Sequence, residues 1–251
     1  MPHEPISTVL VIAAAFFGAA LNAAAGGGSF LTLPALLHAG IAPVAANATG
    51  TTALLPGYLA SVWGFREDLA APRATGMRAL LVTCLGGGIV GALLLVATSN
   101  AAFRALVPWL LLFATALFAF GPTLLRRLGR APDQHPSQWK ALGGMFAVSV
   151  YGGYFNGGLG VLLLALFILI GETSLNRMNA LKNLVSAVLT VFAVGIYAAA
   201  GTVRWGWVAA MLPAVLAGGY VGARAARRIP REPLRWAIVV VGLTMSLLFF
   251  R

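Results

Sequence analysis

One stretch constrains the chain more than any other: Asn22-Ala-Ala-Ala-Gly26-Gly27-Gly28-Ser29-Phe30-Leu-Thr32-Leu-Pro34. It is a polar, glycine-rich break inside an apolar run from Ile6 to Leu37. Each glycine in a helix costs about 1 kcal/mol relative to alanine, and the asparagine adds an amide that lipid cannot solvate. A membrane helix has a use for such a break only where its backbone is meant to open. A second break, Gly152-Gly153-Tyr154-Phe155-Asn156-Gly157-Gly158, interrupts the apolar run 141–170.

The setting is a membrane. The 251 residues are 60% hydrophobic and 9% charged, against about 25% charged in soluble domains. The net charge of +11 comes from arginines set singly or in short groups between apolar segments, which is a topology signal and not a nucleic-acid footprint. The lone Cys84 excludes an intrachain disulfide and reads as a small buried apolar residue. The first run imitates a signal peptide. Its leader Met-Pro-His-Glu-Pro has an acid and no Lys or Arg, however, and the run has an internal copy, so it is read as part of the mature protein.

That copy belongs to a repeat at an offset of 131 residues. Gly26-Gly27 falls on Gly157-Gly158, Gly40 on Gly171, Gly87-Gly88-Ile-Val-Gly91-Ala on Gly218-Gly219-Tyr-Val-Gly222-Ala, and Phe103-Arg104 on Leu234-Arg235. With one inserted residue, Asn47-Ala-Thr49-Gly50-Thr51 falls on Asn179-Ala-Leu-Lys182-Asn183. The two halves are residues 1–130 and 131–251. The first holds segments 6–38 (broken), 44–64, 77–97 and 105–121; the second holds 141–170 (broken), 180–200, 205–223 and 234–250. The unbroken segments have roughly the 20 residues that cross a bilayer.

The basic residues decide how the halves are oriented. If each broken segment crosses fully, nine Lys/Arg lie on one side and eight on the other. If each is a re-entrant hairpin, fourteen collect on one side and only Arg104, Arg204 and Arg251 on the other. The second is the asymmetry of the positive-inside rule. Three crossings per half is odd, so the expected fold is an all-α polytopic membrane protein of two inverted-topology repeats. Each repeat is a re-entrant helical hairpin plus three transmembrane helices, with both termini outside.

In transporters built this way the breaks meet near the midplane and form the substrate site, where helix N-termini suit an anion. The residues expected to bind it are Asn22, Gly27, Gly28 and Ser29 at the first break and Asn156, Gly157 and Gly158 at the second. Asn47, Thr49, Thr51, Asn179, Lys182 and Asn183 are expected to close the site. Asn47 and Asn179 are also open to reading as helix caps, and Lys182 as a lysine that snorkels to the surface. Gly87/Gly91 and Gly218/Gly222, spaced as Gly-x-x-x-Gly, read as close helix packing instead. All six acids fall in loops or at segment ends, so no buried carboxylate is expected, and a cation carrier is disfavoured.

At these motifs the chain resembles the sulfite exporter family TauE/SafE, small bacterial transporters of sulfur-containing anions. The resemblance rests on Gly26-Gly27-Gly28-Ser29-Phe-Leu…Pro34, Gly40-Ile-Ala-Pro43…Asn47-Ala-Thr49, Tyr151-Gly152-Gly153-Tyr154-Phe155-Asn156-Gly157-Gly158-Leu-Gly160 and Asn179-Ala-Leu-Lys182-Asn183, and runs from about residue 10 to 250. It implies export of sulfite or an organosulfonate such as sulfoacetate across the bacterial inner membrane, with periplasmic termini. No enzyme activity, cofactor, metal or nucleic acid is expected; the partners are a small anion and the bilayer, and a homodimer is compatible. The rival readings are an anion channel, a structural membrane subunit, and an intramembrane hydrolase using Ser29 and His38.

Overall fold

The computed structural model describes residues 5–72, 74–128, 137–225, 236, 239–240 and 242–247. The repeat boundary at 130/131, Arg227, Arg228, Arg231 and Arg235, and most of segment 234–250 lie outside the described residues. Among those described, the chain is helical throughout: α1 (Pro5–Ala25), α2 (Ser29–His38), α3 (Pro43–Gly64), α4 (Met77–Ala97), α5 (Asn100–Leu128), α6 (Gln138–Tyr154), α7 (Leu159–Leu169), α8 (Leu175–Ala199) and α9 (Trp205–Ala225), with a 3-10 turn at Arg66–Asp68. Residues 242–247 are also helical. Helix α4 has the expected bounds, whereas α5 starts five residues earlier than the apolar pattern indicates and α8 starts at Leu175, not 180. Apolarity marks the buried length of a helix; the polar first turns of α5 and α8 carry on beyond it.

Both breaks open where the glycines are. Helix α1 stops at Gly26, whose φ of +81° is a left-handed conformation that favours glycine. The chain then folds back. A Cβ added at Gly18 would lie 2.9 Å from the Gly28 carbonyl and 3.1 Å from the Thr32 side chain, so α1 and α2 run antiparallel. In the second half Gly144 faces Leu166 and Gly152 faces Leu159, the same fold-back for α6 and α7. The returning arms end alike. The Gly40 N–H bonds to Leu37 O and the Ile41 N–H to Leu36 O; the Gly171 N–H bonds to Ile168 O and the Glu172 N–H to Phe167 O. Gly40 and Gly171 have φ of +79° and +93°. Two Schellman closures at the 131-residue offset are what a duplicated hairpin would leave behind.

The arms are unequal. Helix α1 has 21 residues and rises about 31 Å, and by length and composition it could cross a membrane, as could α4, α8 and α9. Helix α2 has only 10 residues. The most extensive interfaces join α1 to α9 and α4 to α6, so each first hairpin arm packs on a helix of the other half. The Gly-x-x-x-Gly pairs make this possible. A Cβ at Gly87 would lie 2.7 Å from Phe146 O, and one at Gly91 would overlap Val150 O; at Gly218 and Gly222 it would overlap the backbone of Phe16 and Ala20. The packing reading of these glycines is the one the structure supports.

The first half of helix α3, Pro43 to Leu54, is buried throughout, including Asn47, Thr49, Thr51 and Thr52. Outward-facing Val82, Leu93, Leu216 and Leu247 form an apolar exterior, and exposed Trp63, Trp139 and Trp205 stand at helix ends, the usual place of interfacial aromatics. Cys84 is fully buried beside Met145 and Leu163 in an apolar cluster.

Replacing Gly91 with alanine should lower the stability of the detergent-solubilised protein by about 2 kcal/mol or more, because backbone blocks the new methyl group. Gly219→Ala, where a Cβ meets nothing within 4 Å, should be neutral or slightly stabilising. Thermal denaturation of the two variants checks this; equal melting would remove the packing role.

Candidate functional site

The two turns meet. A Cβ at Gly26 would come within 2.5 Å of the Gly160 Cα, so the tips of the hairpins touch through glycine. Both tips lie inside the protein: Gly26, Gly27, Gly28, Ser29, Gly157 and Gly158 are buried, as are Asn22 and Asn156. Asn156 has a φ of +63°, rare for a residue with a side chain, and Gly158 follows at +74°. Tyrosines satisfy part of the exposed backbone. The Tyr151 hydroxyl donates to Gly157 O, and the Tyr197 hydroxyl donates to Gly153 O. Without such partners each buried carbonyl would cost a few kcal/mol.

A third tyrosine joins the halves. The Tyr58 hydroxyl on α3 lies 3.3 Å from Asn22 Oδ1 and 3.2 Å from Asn156 Oδ1, one asparagine from each hairpin. Asn47, Thr51 and Tyr58 fall at steps of four and seven along α3, hence on one face. That face runs along the second hairpin, since Asn47 Nδ2 donates to Tyr154 O at 2.9 Å. Three atoms here are buried without a hydrogen-bond partner among the described residues: Asn47 Oδ1, Thr51 Oγ1 and Asn156 Nδ2. Native interiors leave few such groups unpaired; among the described residues the only others are Ser149 Oγ and Thr190 Oγ1.

On helix α8, Lys182 and Asn183 are buried, 2% and 3% exposed, and Asn179 is half-buried. Lys182 is the only cation buried among the described residues, and within them its ammonium makes no ion pair or hydrogen bond. It does not snorkel. Asn47 and Asn179 do not cap either, because α3 begins at Pro43 and α8 is capped by Ser174, which accepts from the Arg177 N–H.

Other expectations need correction. Glu172 is buried, 5% exposed, and pairs with Arg177 at 3.6 Å, so one acid does lie inside the protein; it follows the end of α7. Thr49 Oγ1 accepts the Arg204 N–H at 3.0 Å, which ties α3 to the start of α9 and turns Thr49 away from the Asn47–Tyr58 face. The first-turn amides of α2 and α7 are largely spent locally: Phe30 and Leu31 bond to Gly27 O and Gly28 O, and Leu159 and Val161 to Asn156 O and Gly158 O. Side chains, more than a row of free helix N–H groups, are therefore what the site offers. Ser29 is buried while His38, at the other end of α2, is exposed, so the two do not form a hydrolytic pair. The sequence reading misses Tyr58, Tyr151 and Tyr197. The available signal is a tyrosine within an apolar helix, whose buried hydroxyl has to find a partner.

Comparison with known proteins points to membrane transporters. The sequence is similar to a probable membrane transporter protein of Haemophilus influenzae, 27% identical over 92% of this chain and 89% of the relative. It is also similar to the probable membrane transporter protein YfcA of Escherichia coli K12, 25% identical over 97% and 89% of the two chains. The probable membrane transporter protein ORF9 of a Sinorhizobium species is 23% identical over 93% and 88%. No solved structure matches. The family profile of the sulfite exporter TauE/SafE matches residues 11–249, nearly the whole length, and the chain belongs to that family.

Proposed function

We propose that the protein is a secondary transporter that exports a small sulfur oxyanion or organosulfonate, sulfite or a sulfoacetate-like compound, across the inner membrane. The observation that carries this reading is Lys182, a buried cation with no counter-ion among the described residues. Burying an unpaired ammonium costs several kcal/mol, and intramembrane charges held at that cost are usually functional. An anion would neutralise it. The donors at hand, Asn156 Nδ2 and Thr51 Oγ1, suit oxygens bonded to sulfur. One cation balances one negative charge, which favours a sulfonate or hydrogensulfite over sulfate. Sulfite titrates near neutrality, so a proton carried on the substrate could supply coupling without an intramembrane carboxylate.

The transport cycle is a rocking of one inverted half against the other, with the hairpin tips at the pivot. In support, each first hairpin arm packs on the opposite half, and the tips touch at Gly26 and Gly160. Both hairpins are re-entrant in this reading, and both termini face the periplasm. Asn22, Gly27, Gly28, Ser29, Asn47, Thr51, Asn156, Gly157, Gly158, Asn179, Lys182 and Asn183 surround the passage.

In proteoliposomes the protein should exchange sulfite or methanesulfonate, and Lys182→Met should lower the rate at least tenfold. The same variant should melt higher, because an apolar side chain replaces an uncompensated buried charge. A variant as active as wild type, or less stable, would remove Lys182 from the site. Alkaline phosphatase fused to either terminus should be active in cells, and one inactive fusion would refute the inverted topology.

A further inference from the structure

We infer that Ser186 and Thr190 on α8 line the route by which the anion moves between Lys182 and the turn of the second hairpin. The inference deepens the transport reading and rests on it. Ser186, Thr190 and Tyr197 follow Lys182 at four, eight and fifteen residues. At roughly 100° per residue the four side chains fall within a sector of about 80°, and all are buried, Ser186 at 1% exposed and Thr190 at 0%. Val191 and Phe192, on the far side of the helix, are exposed. Lys182 opens this stripe as a cation with no ion pair among the described residues. Tyr197 ends it about 22 Å further along the axis, with its hydroxyl bonded to Gly153 O beside the second turn. Ala193 is the one apolar member between them, and a small one.

A polar stripe between packed helices is inert if its hydroxyls are spent on their own backbone. That is the ordinary arrangement in this protein: Thr52, Ser61, Thr115 and Ser246 each donate to the carbonyl four residues back. Thr190 does not. Its Oγ1 is buried without a partner among the described residues, although one χ1 rotation gives a threonine access to such a carbonyl. An unmade buried hydrogen bond costs about 1–3 kcal/mol, so this rotamer is one that a ligand, not the helix, completes. Thr51, on the inward face of α3, is withheld in the same way, and so is Ser149, which stands outside the stripe where α6 meets Gly87 of α4. The stripe also runs along a seam. Ala187 at one edge belongs to the apolar core that includes α1, α2, α3 and α9, whereas Val185 and Leu189 at the other belong to the core of α4, α6 and α7. Movement that parts the two cores opens water along Lys182, Ser186 and Thr190 without breaking either core. Neutral hydroxyls suit a route, because they donate to an oxyanion without holding it as a full charge would.

The test is thiol labelling of Ser186→Cys and Thr190→Cys in proteoliposomes of the full-length protein. Cys84, the only native cysteine, is left in place, and peptide mass spectrometry identifies each labelled site. The reagent is sulfonatoethyl methanethiosulfonate, which carries the anionic group of the expected substrate. Both new cysteines should label about tenfold faster than Cys84, which is buried in an apolar core off the stripe. Saturating methanesulfonate should slow them about fivefold by occupying the route. The matching trimethylammonium reagent should label them about tenfold more slowly, relative to a free thiol, because Lys182 stands on the route. Thermal denaturation identifies a variant that fails to fold, and the other position then decides. If neither folds, Thr190→Val, which keeps the shape, should transport methanesulfonate about fivefold more slowly than wild type. In a protein that transports methanesulfonate, four results would overturn the inference and leave the transport reading intact: labelling no faster than at Cys84, labelling indifferent to methanesulfonate, equal labelling by the cationic reagent, or a wild-type rate in Thr190→Val. A wild-type protein that transports neither methanesulfonate nor sulfite would overturn both.

Discussion

Backbone that leaves a helix inside an apolar bundle must have its polar groups satisfied by protein, and the rest of this structure follows from that requirement. The turns at Gly26–Gly28 and Asn156–Gly158 lie buried, where neither lipid nor bulk water can solvate them. Tyr151 and Tyr197 bond to carbonyls of the second hairpin, Asn47 bonds to Tyr154 O, and Tyr58 bonds to an asparagine of each hairpin. Helix α3 is central because it carries two of these partners. Glycines let the tips touch and let α1 and α6 lie directly on α9 and α4.

Satisfaction is incomplete, and where it fails is informative. Carbonyls of the second hairpin have side-chain partners, whereas Asn47 Oδ1, Thr51 Oγ1 and Asn156 Nδ2 are left without partners among the described residues, as are Ser149 Oγ and Thr190 Oγ1, and Lys182 is buried with no ion pair among them. A fold selected for stability alone would carry apolar residues at these positions. Unpaired polar atoms beside an opened helix and a buried cation on α8 cost stability, which in the proposed reading a bound anion would offset. In the proposed transport cycle the same features would give the protein a reason to move: a bound anion would strengthen contacts to both hairpins, and its departure would loosen them.

Much of this was legible in the sequence, for identifiable physical reasons. Glycine runs mark where helices cannot continue, so both breaks and the Gly40 and Gly171 closures could be located to within a few residues. The Gly-x-x-x-Gly spacing identified the helix contacts, since only small residues allow that approach. Helix ends were less legible: α8 begins five residues before its apolar stretch, which moves Asn179 from a cap to the second turn. Thr49 and Thr51 look equivalent as letters, yet a step of two residues on a helix turns one toward Arg204 and the other toward the hairpin. Tyr58 was missed because its importance depends on two asparagines 36 and 98 residues away. Glu172 does lie in a loop, as expected; its burial is not legible in the sequence because it depends on the pairing with Arg177.

The central claim is that the two hairpin tips and helix α3 enclose one oxyanion. A crystal structure with methaneselenonate, located by selenium anomalous scattering, tests it most directly. The account predicts a single anomalous peak within hydrogen-bond distance of Asn156 Nδ2 and Thr51 Oγ1. A peak at the protein surface, or none at saturating anion, would contradict it.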